Sequence, residues 1–114
     1  MAVNIIGTER DGVLVVRLEG VDSLVASNSA DFRERFDACI EGANRVALHL
    51  GNLTFMDSSG IGALVGAFKK LSKREGELRL IGLTPTVKSL FEITRLHRVF
   101  EIYDTEEGAV ASFV

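Results

Sequence analysis

The sequence predicts an α/β domain: a mostly parallel sheet of about five strands, opened by an N-terminal β-hairpin and packed by about four helices. Three observations predict it. Short β-branched runs alternate with stretches of helical periodicity, the pattern of a largely parallel sheet. Asp11-Gly12 separates the first two apolar runs, and Asp-Gly between strands is a hairpin signal because glycine accepts the positive φ of a tight turn. Proline and glycine punctuate the remainder where helices should begin and end.

Taken in order, Val3–Thr8 and Val13–Glu19 are the hairpin strands. The second is almost continuously apolar, as expected for a strand covered on both faces. Gly20 to Ser29 reads as a loop of small and polar residues. Phe32, Phe36, Cys39 and Ile40 recur at helical spacing opposite Arg33, Glu34, Arg35 and Asp37, and Gly42 ends that helix. Arg45–Leu50 is a third strand, followed by a Gly51-Asn52 break. Ile61, Leu64, Val65, Phe68 and Leu71 form the apolar stripe of a second helix. Its C-terminal Lys69, Lys70, Lys73 and Arg74 complement the helix dipole, and Gly76 stops it. Leu78–Ile81 is a fourth strand. Thr84-Pro85 starts a third helix with buried Val87, Leu90 and Phe91. Val99–Tyr103 is a fifth strand, and Asp104-Thr105-Glu106-Glu107 resembles a capping box for a last helix through Phe113.

Composition narrows the function. The 114 residues suit one domain, with 46% apolar residues, seven Phe and no Trp. A net charge of −3 without a basic, aromatic-interleaved stripe argues against direct nucleic-acid contact. The single Cys39 forms no internal disulfide, and its place on an apolar helix face reads as an inert thiol. Neither a signal peptide nor a run of membrane-spanning length is visible, so the expected location is cytoplasmic, away from the membrane.

The informative stretch is Phe55-Met56-Asp57-Ser58-Ser59-Gly60-Ile61-Gly62, where a sheet segment turns into a helix. Asp57 or Ser58 can simply cap that helix. Alternatively, a phosphate on a first-turn serine would be held by free backbone N–H groups. It would place roughly −1.5 to −2 charges on the surface, altering what docks without disturbing the fold. Enzymatic readings fail on spacing. Val65 stands where a dinucleotide fingerprint needs its third glycine, and no phosphate loop exists. Met56 precludes a Gly-x-Ser-x-Gly elbow. His49 and His97 belong to no metal or base motif.

The stretch Leu53 to Gly62 resembles the signature of STAS-domain anti-sigma-factor antagonists. Similar residues continue at Gly76-Glu77-Leu78, Thr84-Pro85-x-Val87, Leu90-Phe91 and Leu96-x-x-Val99-Phe100, so the likeness covers essentially the whole chain. It implies one STAS-like domain over residues 1–114, with no catalytic residues, cofactor or metal of its own. It further implies that the unphosphorylated chain binds an anti-sigma factor, a serine kinase with a kinase-type ATP-binding fold, and so releases a sigma factor. Phosphorylation at Ser58, with Ser59 as the alternative, ends that interaction, and a serine phosphatase restores it. Asp57, Ser58, Ser59 and Gly60 are the expected partner-binding residues, with Gly60 and Gly62 permitting close approach. The family usually carries a Leu-Asp pair before the first helix. Here Leu24-Val25 aligns with it, so Val25 stands at the aspartate position and Asp22 is the nearest acidic substitute. These three complete the expected partner surface, with local packing as the other reading of the apolar Leu24-Val25 pair. Other readings are a STAS scaffold or partner-switching adaptor acting on a response-regulator phosphatase, a domain serving a transporter, and an independent enzyme.

Overall fold

The computed structural model describes residues 3–113. Strands β1 (Asn4–Arg10), β2 (Val13–Glu19), β4 (Arg45–His49), β6 (Glu77–Ile81) and β7 (Glu101–Tyr103) form one sheet in the order β1-β2-β4-β6-β7. Only β1 runs antiparallel to its neighbour; β2, β4, β6 and β7 are parallel. Helices α1 (Ser29–Cys39), α2 (Ser58–Lys73), α3 (Pro85–Ile93) and α4 (Glu106–Ala111) complete the expected α/β architecture. A second, two-stranded parallel sheet pairs β3 (Ser23–Leu24) with β5 (Phe55–Met56).

Period-two alternation divides the apolar residues between two faces. Val16, Leu18, Val46, Leu48, Leu78 and Leu80 join Phe32, Phe36, Leu64, Leu71 and Phe91 in the main core beneath α1, α2 and α3. Val13, Val15, Ala47 and Ile81 point the other way and meet Ala109, Val110 and Phe113 around α4. Both faces of the central strands are therefore covered, which is why β2 reads as an almost unbroken apolar run.

Several local expectations shift. The hairpin extends β1 to Arg10, because Asp11 (φ 52°) and Gly12 (φ 81°) make the whole turn in two residues. Helix α2 ends at Lys73, and the left-handed residue is Glu75 (φ 62°), not Gly76. The Gly76 and Glu75 amides donate to Leu71 and Ser72 carbonyls, a Schellman closure. Gly76 is needed there for space, since a Cβ would lie 3.1 Å from both Asn44 O and Leu71 O. The fifth strand begins at Glu101 rather than Val99. Phe100 packs on Phe68 and Phe91 (centroids 5.2 and 5.9 Å away), and its amide donates to Leu96 O. Residues 96–100 are drawn into a turn that leaves Val99 exposed.

The last helix differs most. Thr105, not Asp104, is the cap, accepting from Gly108 N at 3.0 Å, and the helix ends at Ala111. Glu106 thereby becomes the first helical residue and reaches across to the sheet. Its carboxylate takes Arg10 Nη1 at 2.5 Å, Arg17 Nη2, and His49 Nε2 at 2.8 Å, one group from each of β1, β2 and β4. Hydrogen bonds from His49 and Arg10 hold this carboxyl below the usual glutamate range.

A depressed carboxyl stabilises the fold above its unfolded pKa and loses that contribution as pH falls through the folded value. Glu106→Gln should thus lower stability at neutral pH by about 1–2 kcal/mol. It should also flatten the loss of stability below about pH 4.5, and denaturant midpoints measured from pH 7 to pH 3 test both effects. Equal acid sensitivity of the two proteins would remove Glu106 as the source.

Candidate functional site

The signature segment lies at the carboxyl edge of the parallel strands, where α/β sheets present their loops. The β3–β5 ladder builds it. Ser23 pairs with Phe55 and Leu24 with Met56, and this register sets Val25 opposite Asp57. Asp57 N donates to Leu24 O at 3.2 Å, while Thr54 donates through both N and Oγ1 to Asp22 O. From below, Thr84 Oγ1 donates to Leu53 O at 2.7 Å, tying the same segment to the start of α3.

Asp57 is the N-cap of α2. Its Oδ1 accepts from Gly60 N and its Oδ2 from Ala26 N, each at 3.0 Å. One carboxylate thus caps the helix and anchors the loop before α1. The Gly60 N–H contributes most, and the Ala26 N–H adds to it, in holding this carboxyl below the usual aspartate range. Sequence reasoning left open whether Asp57 or Ser58 capped the helix: Asp57 does, and Ser58 is the first helical residue, with its side chain exposed. Ser59 is half-buried.

Asn28 organises the loop opposite and was missed in the sequence. It occupies the N-cap position of α1 yet turns its amide backwards. Its Oδ1 accepts from Val25 N at 2.8 Å and its Nδ2 donates to Ser23 O at 2.9 Å. Only 2% of this polar residue is exposed, so these bonds are what make its burial tolerable. A cap-type residue, Asn28, between two serines is the signal that could have marked a helix start, but not the direction of its bonds.

Two residues expected on the partner-facing surface lie inside. Leu24 is 0% exposed and belongs to the main core, so its side chain packs locally. Gly60 is buried against it: a Cβ there would stand 2.0 Å from Leu24 O and 2.7 Å from Leu24 C. The close approach Gly60 permits is between α2 and its own β3 loop. Gly62 is half-buried, and Arg33 rather than open space faces it. Asp22 is exposed but pairs with Thr54, three residues before Val25 in the ladder direction, or about 10 Å along an extended chain. It therefore does not substitute for an acid at the Val25 position beside Asp57. Val25 is half-buried. Phe55, unremarked in the sequence, projects outward with 52% exposure three residues before Ser58.

The remaining reactive side chains stand apart from this edge. Cys39 is half-buried against Gly7 and Leu14, and burial pushes its thiol upward. His49 is engaged by Glu106, and His97 Nδ1 lies 3.2 Å from Phe91 O. Among the described residues no three His, Cys, Asp or Glu side chains are grouped to hold a metal, and no helix is long and apolar enough to cross a membrane.

Gly60→Ala should force α2 away from Leu24, costing about 1–3 kcal/mol in a denaturation midpoint. Asp57→Ala should lower that midpoint while leaving the sheet intact, with the largest amide shifts at Ala26 and Gly60 in heteronuclear NMR spectra. Shifts spread evenly over the chain would contradict this anchoring role.

The chain and its fold are similar to known proteins. The anti-sigma F factor antagonist of Paenibacillus polymyxa is 36% identical over 101 residues, covering 87% of this chain and 85% of the relative. The structure of an anti-sigma-factor antagonist (STAS) domain protein from Planctomyces limnophilus superposes with a TM-score of 0.86 at 25% identity, covering 100% of this chain and 99% of the other. The Bacillus cell fate determinant SpoIIAA, solved in its phosphorylated form, aligns with a TM-score of 0.70 at 26% identity, over 99% of this chain and 100% of the other. The STAS domain family model matches residues 4–109, and the chain belongs to that family.

Proposed function

We propose that this chain is an anti-sigma-factor antagonist whose docking is switched by phosphorylation of Ser58. The observation that carries this reading is the contrast between Ser58 and its neighbours. Asp57 is committed to two backbone amides and Gly60 is packed on Leu24, whereas Ser58 is exposed at the first position of α2. A phosphate there needs no rearrangement of the core and changes the charge of an exposed edge. Half-buried Ser59 is the weaker candidate. The name of the Paenibacillus relative and the phosphorylated form of SpoIIAA support the same reading.

The partner is an anti-sigma factor with a kinase-type ATP-binding fold, and docking to it frees the sigma factor. Ser58 Oγ then takes the γ-phosphoryl group of the partner's ATP, ADP leaves, and the hydroxyl proton passes to a base on the kinase. Asp57 is a poor base for this step, because its two N–H donors stabilise the ionised form. Its part, on this reading, is to hold Ser58 at the rim. Exposed Phe55 adds apolar area beside the hydroxyl, the kind of side chain that anchors protein interfaces. A serine phosphatase resets the cycle in the cytoplasm.

Pull-downs from native extract with wild-type, Ser58→Ala and Ser58→Glu baits, read by mass spectrometry, test the proposal. A small kinase-fold ATPase should be retained by the alanine bait and depleted at least about tenfold on the glutamate bait, the effect of roughly 1.4 kcal/mol of binding free energy. Equal recovery on all three baits would remove Ser58 as the switch. Recovery of scaffold or transporter subunits indifferent to position 58 would favour the adaptor reading.

A further inference from the structure

Helices α1 and α2 lie side by side, with a groove between them lined by Arg33, Phe36, Asp37, Gly66 and Lys70. Most charges bordering α1 are matched. Arg35 Nε contacts Asp31 Oδ1 at 2.9 Å, Asp31 Oδ2 also accepts from Val3 N, and Lys70 Nζ meets Asp37 Oδ2 at 2.8 Å. Arg33 is different. Among the described residues its guanidinium has neither an ion-pair nor a hydrogen-bond partner, and neighbouring Glu34 points elsewhere around the helix. It rests on bare helix backbone: a Cβ at Gly62 would be 3.7 Å from Arg33 Nη2, and one at Gly66 3.8 Å from Cζ and Nη2.

Gly62 is four residues after Ser58, so the two positions share a helix face one turn apart. Neither Gly62 nor Gly66 carries a side chain that would hold the guanidinium away from that face. Arg33 is exposed and without an acid partner, and it rests on the α2 turn that follows Ser58, so its planar fork is free to match phosphate oxygens in pairs.

We propose that Arg33 is the clamp of phosphorylated Ser58, moving along the α1–α2 groove from Gly62 and Gly66 to pair with the phosphate. This rests on the reading of Ser58 as the modified serine and deepens it. Phosphorylation then acts twice, adding charge at the rim and uncovering the small-residue surface where Arg33 had lain. Arg33 is a positioning residue for the phosphorylated state.

The test uses the full chain with phosphoserine installed at position 58 during translation, so it needs neither kinase nor partner. Phosphorus NMR titration gives the second phosphate pKa in the Arg33 protein, in Arg33→Gln and in Arg33→Lys. The arginine favours the dianion, so Arg33→Gln should raise that pKa by about half a unit and Arg33→Lys should restore most of the difference. The Arg33 Nε–H resonance should move on phosphorylation in the unsubstituted chain, a change that simple helix packing would not produce. Coincident titration curves for Arg33 and Arg33→Gln, with an unmoved Nε–H signal, overturn the clamp. The position-58 pull-downs judge the switch separately. If they fail while the titration depends on Arg33, the error lies in the regulatory reading and not in the clamp.

Discussion

The close approach of α2 to the β3 loop is the constraint on which the rest of this edge depends. Gly60 leaves no Cβ between the helix and Leu24 O, where one would have stood at 2.0 Å. That contact lets Asp57 reach forward to Gly60 N and sideways to Ala26 N with one carboxylate. The β3–β5 ladder, the backward-turned Asn28 and the buried Leu24 all follow from holding these two segments at main-chain distance. A side chain at position 60 would separate them, and Asp57 could then satisfy only one of its amides.

This arrangement separates rigidity from exposure. Asp57 is bonded and Gly60 is packed, while Ser58 between them stays at the surface. A modification that must change binding without unfolding the domain needs such a division, because a charge added to a committed residue would be paid for in stability. The opposite face of the sheet shows the complementary use of charge. There Glu106 gathers Arg10, Arg17 and His49 from three strands and fixes α4 over the smaller core.

The α1–α2 groove joins these themes. Glycines at 62 and 66 are conformationally ordinary helix residues, so their value is spatial: they let the Arg33 guanidinium lie on the backbone of α2. On the proposed reading, the surface that a partner meets and the surface that senses the phosphate are continuous along one helix face.

Much of the fold was legible because its signals are local. The Asp11-Gly12 turn, the Thr84-Pro85 start and the two-faced burial of β2 are written in adjacent residues, and the mostly parallel five-stranded sheet follows from the alternation of strands and helices. The signature segment was legible too, as a serine-bearing helix start. What the sequence left undecided depends on residues distant in the chain. Asp57 rather than Ser58 caps α2, and its second oxygen is claimed by the amide of Ala26, 31 positions away, a bond that no local signal announces. Leu24 read either as a partner contact or as local packing until the ladder with Met56 set it inward, where Gly60 packs against it. Arg33 looked like one charge among four on an exposed helix face, and only the packing of α1 on α2 set it over two glycines. Periodicity and capping are properties of neighbours and survive in the sequence; which surface a residue meets across the fold is decided by tertiary packing alone.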